Sequence, residues 1–146
     1  MKRVVQFLIL CMMFISANAF AAAGYATYVL QNVQDARDMQ QLQFRWVGST
    51  SDGTVPDKST TEVVHGWIVK VCTTISASAT DNYDVYIEDN NGASLTGTQV
   101  ENRDTTAAEC VTLTEKARVD SIITLDLDGN SDTSSGGTID VYILLD

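Results

Sequence analysis

The sequence predicts an all-β fold: an antiparallel β-sandwich of about seven to eight strands, immunoglobulin-like or jelly-roll-like. Three observations lead there. Apolar and polar residues alternate through most of the chain, turn-forming residues separate the alternating segments, and the 146 residues include one proline. Alternation with period two turns one side of each segment toward a core and the other toward water, and the scarcity of proline leaves backbone N–H groups free to pair.

Residues 1–21 read as a signal peptide. Lys2 and Arg3 precede the apolar run from Val4 to Ile15, and small residues follow from Ser16 to Ala22. The apolar run is shorter than the roughly 20 residues a helix needs to span a bilayer, which disfavours a retained anchor. Cleavage is expected between Ala19 and Ala23. Leu8-Ile9-Leu10 before Cys11 lacks the small residue of a lipoprotein site, so no lipid anchor and no membrane association after cleavage are expected. The predicted destination is periplasmic, extracellular or surface-associated.

Residues 22–40 form an N-terminal segment ahead of a sandwich domain at 41–146. Tyr25 to Leu30 is a stretch free to supply a strand, and the Val33, Ala36, Met39 spacing within Gln31 to Gln40 predicts a turn or two of helix. Leu42, Phe44 and Trp46 then alternate with Gln41, Gln43 and Arg45. Gly48 to Thr61, with Ser51-Asp52-Gly53 and Pro56, is a loop.

Val63 to Ile75 is rich in β-branched residues and reads as a long central strand. Uninterrupted alternation puts His65, Trp67, Val69, Val71 and Thr73 on one side and Gly66, Ile68, Lys70 and Cys72 on the other. Tyr83, Val85 and Ile87 alternate with Asp84, Tyr86 and Glu88, and Asn91-Gly92 predicts a type I′ hairpin returning through Ala93 to Gly97. Glu109 to Leu113 is a short strand. Val119, Ser121, Ile123, Leu125 and Leu127 mark another, Gly129 to Gly137 a polar connection, and Ile139, Val141, Ile143 and Leu145 the last strand.

Removing the leader leaves two cysteines, Cys72 and Cys110, in a chain bound for an oxidising compartment, and one bridge between them is expected. It also leaves 7 Lys and Arg against 19 Asp and Glu, a charge of −12. Nucleic acid and anionic membranes are disfavoured as partners because both require a positive surface field.

No catalytic apparatus is legible. His65 is the only histidine, it falls in a predicted strand, and no Gly-x-Ser-x-Gly elbow or phosphate-binding loop accompanies it. The reading is not an enzyme, with no catalytic residues, cofactor or metal assigned. Asp126-Leu127-Asp128-Gly129-Asn130-Ser131-Asp132 could offer oxygen ligands to calcium, but glycine stands at the fourth position where an EF-hand needs it at the sixth. Trp46, Trp67, Tyr25, Tyr28, Tyr83, Tyr86 and Tyr142 would make a sugar-stacking platform if exposed together. The alternation instead places Trp46 and Trp67 inward.

Gly66-Trp67-Ile68-Val69, Asp81-Asn82-Tyr83-Asp84-Val85-Tyr86-Ile87-Glu88-Asp89, Gly92, Asn102-Arg103-Asp104 and Gly137-Thr138-Ile139-Asp140-Val141-Tyr142 together resemble a family of small uncharacterised bacteriophage virion structural proteins. The resemblance runs from Phe44 to Leu144. It implies a structural, head-surface role with no catalytic residues to carry over. Phage versions are generally assembled in the cytoplasm, so the leader here implies a cell-surface assembly or a virus whose products cross an envelope. Architecture alone also suggests chaperone–usher pilins, which combine a leader, one disulfide and a sandwich, and polymerise by strand donation. The expected function is a non-enzymatic structural or assembly protein with protein partners, self-assembly included. The alternatives are a secreted module for a glycan or surface receptor, or a pilin-like subunit. An exposed row of Trp and Tyr would favour glycan binding, and buried aromatics with an open sheet edge would favour assembly.

Overall fold

The computed structural model describes residues 23–33, 38–77, 82–103, 107–133 and 135–146; the expected signal peptide lies outside them. The alternating segments become β1 (Tyr25–Asn32), β2 (Met39–Val47), β3 (Lys58–Ser59), β4 (Val64–Ala77), β5 (Asp84–Glu88), β6 (Glu109–Ser121), β7 (Thr124–Asp128) and β8 (Gly136–Leu144). They form a five-stranded sheet ordered β1-β2-β8-β4-β6 and a three-stranded sheet ordered β3-β7-β5. Every pairing is antiparallel. The all-β sandwich expected from the sequence is the fold observed.

One apolar cluster joins the two sheets. Leu42, Phe44 and Trp46 from β2, Ile139, Val141 and Ile143 from β8, and Ile68 and Val71 from β4 meet Val85, Ile87 and Leu125 of the smaller sheet. The last strand in sequence, β8, lies between β2 and β4, so its three inward residues are completely buried. Trp46 and Tyr83 pack at 5.4 Å between ring centroids, tilted by 58°. That geometry suits the edge-to-face preference of aromatic pairs.

A β-bulge at Val69 sets the two faces of β4. Ile68 pairs with Ile143 and Lys70 with Tyr142, so Val69 is an extra residue and reverses the inside–outside phase. Val64, Gly66 and Ile68 point inward before it, and Val71 and Thr73 after it. Trp67 is therefore on the outer face and 38% exposed, which corrects the inward placement predicted from uninterrupted alternation. Gly66 has φ +128°, and a Cβ there would sit 2.3 Å from the Leu144 carbonyl oxygen. Only glycine fits where β4 approaches β8 so closely.

Other expectations are corrected by pairing. The boundary at 40–41 falls inside β2, and β1, assigned to a separate N-terminal segment, pairs with β2 from Tyr25↔Val47 to Asn32↔Gln40. Gln31, Asn32, Met39 and Gln40 are thus strand rather than helix, with residues 34–37 outside the described set. The Val119 to Leu127 strand is two strands: β6 ends at Ser121, and β7 begins at Thr124 in the other sheet. The crossing is fixed by Thr60, whose N–H donates to the Ile123 carbonyl at 2.8 Å and whose hydroxyl accepts from the Ile123 N–H at 3.1 Å.

The Asn91-Gly92 turn also differs. Gly92 has positive φ, +77°, whereas Asn91 does not, so the type I′ geometry, which needs both, does not form. The Asp89 carboxylate instead accepts from the N–H groups of Asn91 and Ala93 at 2.8 and 2.9 Å. Ala93 to Gly97 returns along β5 through an isolated bridge, Glu88↔Ser94, and Leu95 N–H to Ile87 O at 2.6 Å, without forming a strand.

Cys72 and Cys110 form a disulfide with Cα atoms 4.0 Å apart, joining residues directly opposite on β4 and β6. The bridge expected from the sequence is present, within one sheet rather than between sheets. The cysteines are 38 residues apart in sequence, and constraining a loop of that length is worth about 4 kcal/mol. The Cys72→Ala, Cys110→Ala double variant should therefore melt roughly 15 °C below the native protein. Calorimetry of the two side by side checks this, with unchanged Tm as the contrary result.

Candidate functional site

The outer face of the five-stranded sheet carries a connected polar layer. The antiparallel register puts Gln31, Gln41, Tyr142, Lys70 and Thr112 in one row across the strands. Asp140 accepts from the side-chain amides of both Gln41 and Gln43 at 2.8 Å. Gln43 accepts from Arg45 Nε at 3.2 Å. Lys70 Nζ stands 5.1 Å from the centre of the Tyr142 ring, a cation–π distance. Toward one end, Asp146 accepts from Trp67 Nε1 at 2.9 Å and from Arg118 at 3.0 Å.

His65 and Asp120 pair at this same end, Nδ1 to Oδ1 2.5 Å, both largely exposed. The structure thus gathers Trp67, His65, Arg118 and Asp146 on one surface. Sequence reasoning missed that group because the Val69 bulge is what turns Trp67 outward. The remaining aromatics are scattered. Trp46 and Tyr83 are in the core, Tyr28 packs inward against Phe44 at 6.2 Å, Tyr86 belongs to the other sheet, and Tyr25 is at the far edge. No aromatic row forms among the described residues.

The four sheet edges differ in how they are protected. An edge strand exposes backbone N–H and C=O groups that another strand can pair with, and proteins blunt such edges with charge, bulges, short strands or covering segments. At β6, Glu109, Glu115, Lys116, Arg118 and Asp120 supply charge. The register also jumps there: Ile68 pairs with Ala117 and Lys70 with Thr112, so residues 113–116 face Val69 alone. Strand β3 is only 2 residues long. Strand β5 is covered by the chain that follows it, through Leu95 N–H to Ile87 O at 2.6 Å, Val85 N–H to Val100 O at 3.2 Å and Arg103 N–H to Tyr83 O at 2.8 Å.

Among the described residues, none of these devices is present at β1. It is 8 residues long, Tyr-Ala-Thr-Tyr-Val-Leu-Gln-Asn, without charge or proline, and its register with β2 is continuous. Tyr25 and Val29 are 54% and 55% exposed on its outer side. Tyr28 anchors the strand from the inner side: its hydroxyl donates to Glu62 at 2.7 Å and accepts from the Thr61 N–H at 2.7 Å. The edge is therefore held in place and, among the described residues, open.

Two further features carry less chemistry. A cleft of about 620 Å³ lies between residues 94–99 and 114–117, where Gln99 already ties the walls together through Thr114 N–H at 2.8 Å and the Glu115 carbonyl at 3.4 Å. The outer face of the small sheet presents Asp84, Glu88, Asp126 and Asp128. Among the described residues no group of three or more His, Cys, Asp or Glu is arranged to hold a metal ion. The calcium candidate at Asp126 to Asp132 is split, because Asn130 turns inward, donating to the Gly53 carbonyl and accepting from Ser135 at 2.9 Å. No described helix is long and apolar enough to cross a membrane.

No family model matches this chain, and no curated protein matches it. Among solved structures, a low-affinity xylan-binding module, CBM86 from Roseburia intestinalis, is 14% identical with a TM-score of 0.37, covering 86% of this chain and 88% of its own. Fe(II)-HppE with the alternative substrate (S)-1-HPP is 10% identical with a TM-score of 0.33, covering 80% of this chain and 49% of its own. FeII HppE is 11% identical with a TM-score of 0.32, covering 82% and 50% respectively. This chain thus spans about half the length of the HppE chains. Likenesses this distant carry no argument about what this chain binds or does.

The acidic face has a pH signature. Burial first, then the negative charges of Asp57, Glu88 and Asp128, raise the Asp126 pKa above its ordinary value. The folded chain then binds this proton more tightly than the unfolded chain, so ionised Asp126 weakens the fold at neutral pH. That penalty disappears as pH falls through the raised pKa toward the unfolded value. Asp126→Asn should raise Tm by a few degrees at pH 7 and lose most of that gain near pH 4. Thermal melts of both proteins across that range test it, and an equal difference at both pH values would contradict it.

Proposed function

We propose that this chain is an exported, non-enzymatic assembly protein that joins a neighbouring chain by strand addition at β1. The observation that carries the reading is the contrast among the edges: three are blunted by length, charge, bulge or cover, and β1 is long, uncharged and continuous. Strand addition draws affinity from main-chain hydrogen bonds and specificity from alternate side chains, here Tyr25, Thr27 and Val29 on the outer side. The disulfide suits an oxidising destination. Burial of Trp46 and Tyr83 also favours assembly over an aromatic binding platform.

Because β1 is part of the sheet, deleting it would strip cover from Phe44, so a point change is the cleaner probe. Val29→Lys places a charge on the open edge and leaves the inward side of β1 intact. Exported wild-type protein, sized by native gel and sedimentation, should run as an assembly that Val29→Lys reduces to smaller species, while circular dichroism stays the same. A wild-type monomer in the exported fraction, or an unaffected Val29→Lys assembly, would count against the reading.

A second reading is favoured by the surface group at Trp67. A half-open indole whose N–H is fixed by Asp146, beside Arg118 and His65, offers a ring face for a sugar with hydrogen-bonding groups around it. In that case soluble polysaccharide should retard the native protein in affinity electrophoresis, and Trp67→Ala should abolish the retardation. Equal mobility of both proteins across a panel of plant and bacterial glycans would remove this reading.

A further inference from the structure

We infer that the strand received at β1 is β1 of a second copy of this chain, paired antiparallel about a two-fold axis at Thr27. The inference rests on the strand-addition reading and names its partner. Antiparallel pairing of a strand with its own copy is isologous by construction, so the contact closes after two chains and makes one ten-stranded sheet.

The side chains of β1 are self-complementary in this register. With Thr27 opposite Thr27 of the second copy, Tyr25 faces Val29 and Val29 faces Tyr25 on the outer side. An aromatic residue opposite a β-branched one is a favourable cross-strand pair, and these are the two exposed large hydrophobics of the strand. On the inner side Ala26 faces Tyr28, small against large. An axis at Tyr28 would instead set Tyr25 against Gln31 and leave its apolar surface opposite an amide.

Charge selects the same contact. The exported chain, with a charge of −12 once the leader is removed, repels its own copies over most of its surface. Strand β1 has no charge of its own. Among the described residues, the charged groups held against it are Glu62 on the Tyr28 hydroxyl, Lys58 with Nζ 5.7 Å from the Tyr28 ring centre, and Arg45 paired opposite Thr27. Together they leave no acidic excess, so this edge is a place where two copies approach without like-charge cost.

Strand direction argues against the alternative of stacking copies edge to edge in one orientation. Successive strands of the β1-β2-β8-β4-β6 sheet alternate in direction, so β1 and β6 run the same way. A translated copy would have to pair them in parallel, against the bulged and charged β6.

The exported mature protein with its native disulfide provides the test. Wild type should show a monomer–dimer equilibrium by sedimentation, and Val29→Lys should raise the dimer dissociation constant at least about tenfold. Thr27→Cys, on the axis, brings two Cα atoms within about 4.5–5.5 Å and should cross-link under mild oxidation into a doubled mass on a non-reducing gel. Gln31→Cys should not cross-link, because its two copies would lie about 27 Å apart. A wild-type monomer at about 1 mM overturns the second-copy inference. If Val29→Lys still disrupts the exported assembly in that case, strand addition stands with a different chain as partner. A dimer that Val29→Lys leaves intact, with no link through Thr27→Cys, overturns both.

Discussion

The arrangement of the larger sheet depends on one extra residue, Val69. Side chains on a strand alternate strictly, so a 14-residue strand such as β4 can change which residues face the core only by an irregularity in its register. With the bulge, Ile68 and Val71 both point inward although their spacing is odd, and Lys70 and Cys72 both point out. That phase places Cys72 opposite Cys110, Lys70 beside Tyr142, and Trp67 on the surface with Arg118 and Asp146. Without it, either Trp67 would enter the core or the second half of β4 would turn charge and sulfur inward.

The same irregularity shapes the far edge. The facing strand β6 spends residues 113–116 opposite Val69, and within them Thr114 N–H donates to Gln99 and Leu113 is buried. The disulfide lies beyond these residues and pins the early part of β6 to β4, where the ladder would otherwise be interrupted close to a free end. A long charged edge is thereby kept in place and made a poor template for pairing. Strand β1, at the opposite side of the sheet, is kept straight by continuous pairing with β2 and by Tyr28 reaching Thr61 and Glu62.

Charge is divided between the two outer faces. On the small sheet, burial and then the neighbouring carboxylates raise the pKa of Asp126, a local cost that Tyr83, Val85, Ile87, Leu125 and Leu127 offset by burial on its inner side. On the large sheet each described carboxylate of the polar layer is engaged, Asp140 by two amides, Asp146 by Trp67 and Arg118, and Asp120 by His65. The net acidity of the chain is therefore expressed mainly away from the large sheet and from the open β1 edge.

The sequence by itself determined the fold class, the Cys72–Cys110 pairing and most inward residues, because alternation is a local signal: Leu42, Phe44 and Trp46, Tyr83, Val85 and Ile87, and Ile139, Val141 and Ile143 are buried as their spacing predicts. Tertiary structure decided what depends on partners distant in sequence. Trp67 faces out because β8 and β6 impose a bulge that no local pattern announces. Tyr25–Asn32 is a strand because β2 supplies its ladder, although its own alternation is weak. The split at Ile122–Ile123 and the return after Gly92 without a strand follow from which sheet each segment can reach. Composition could name the uncharged stretch from Tyr25 to Leu30. Only the placement of the other three edges shows that this stretch is the one left open among the described residues, because an edge is defined by the absence of a neighbour on one side.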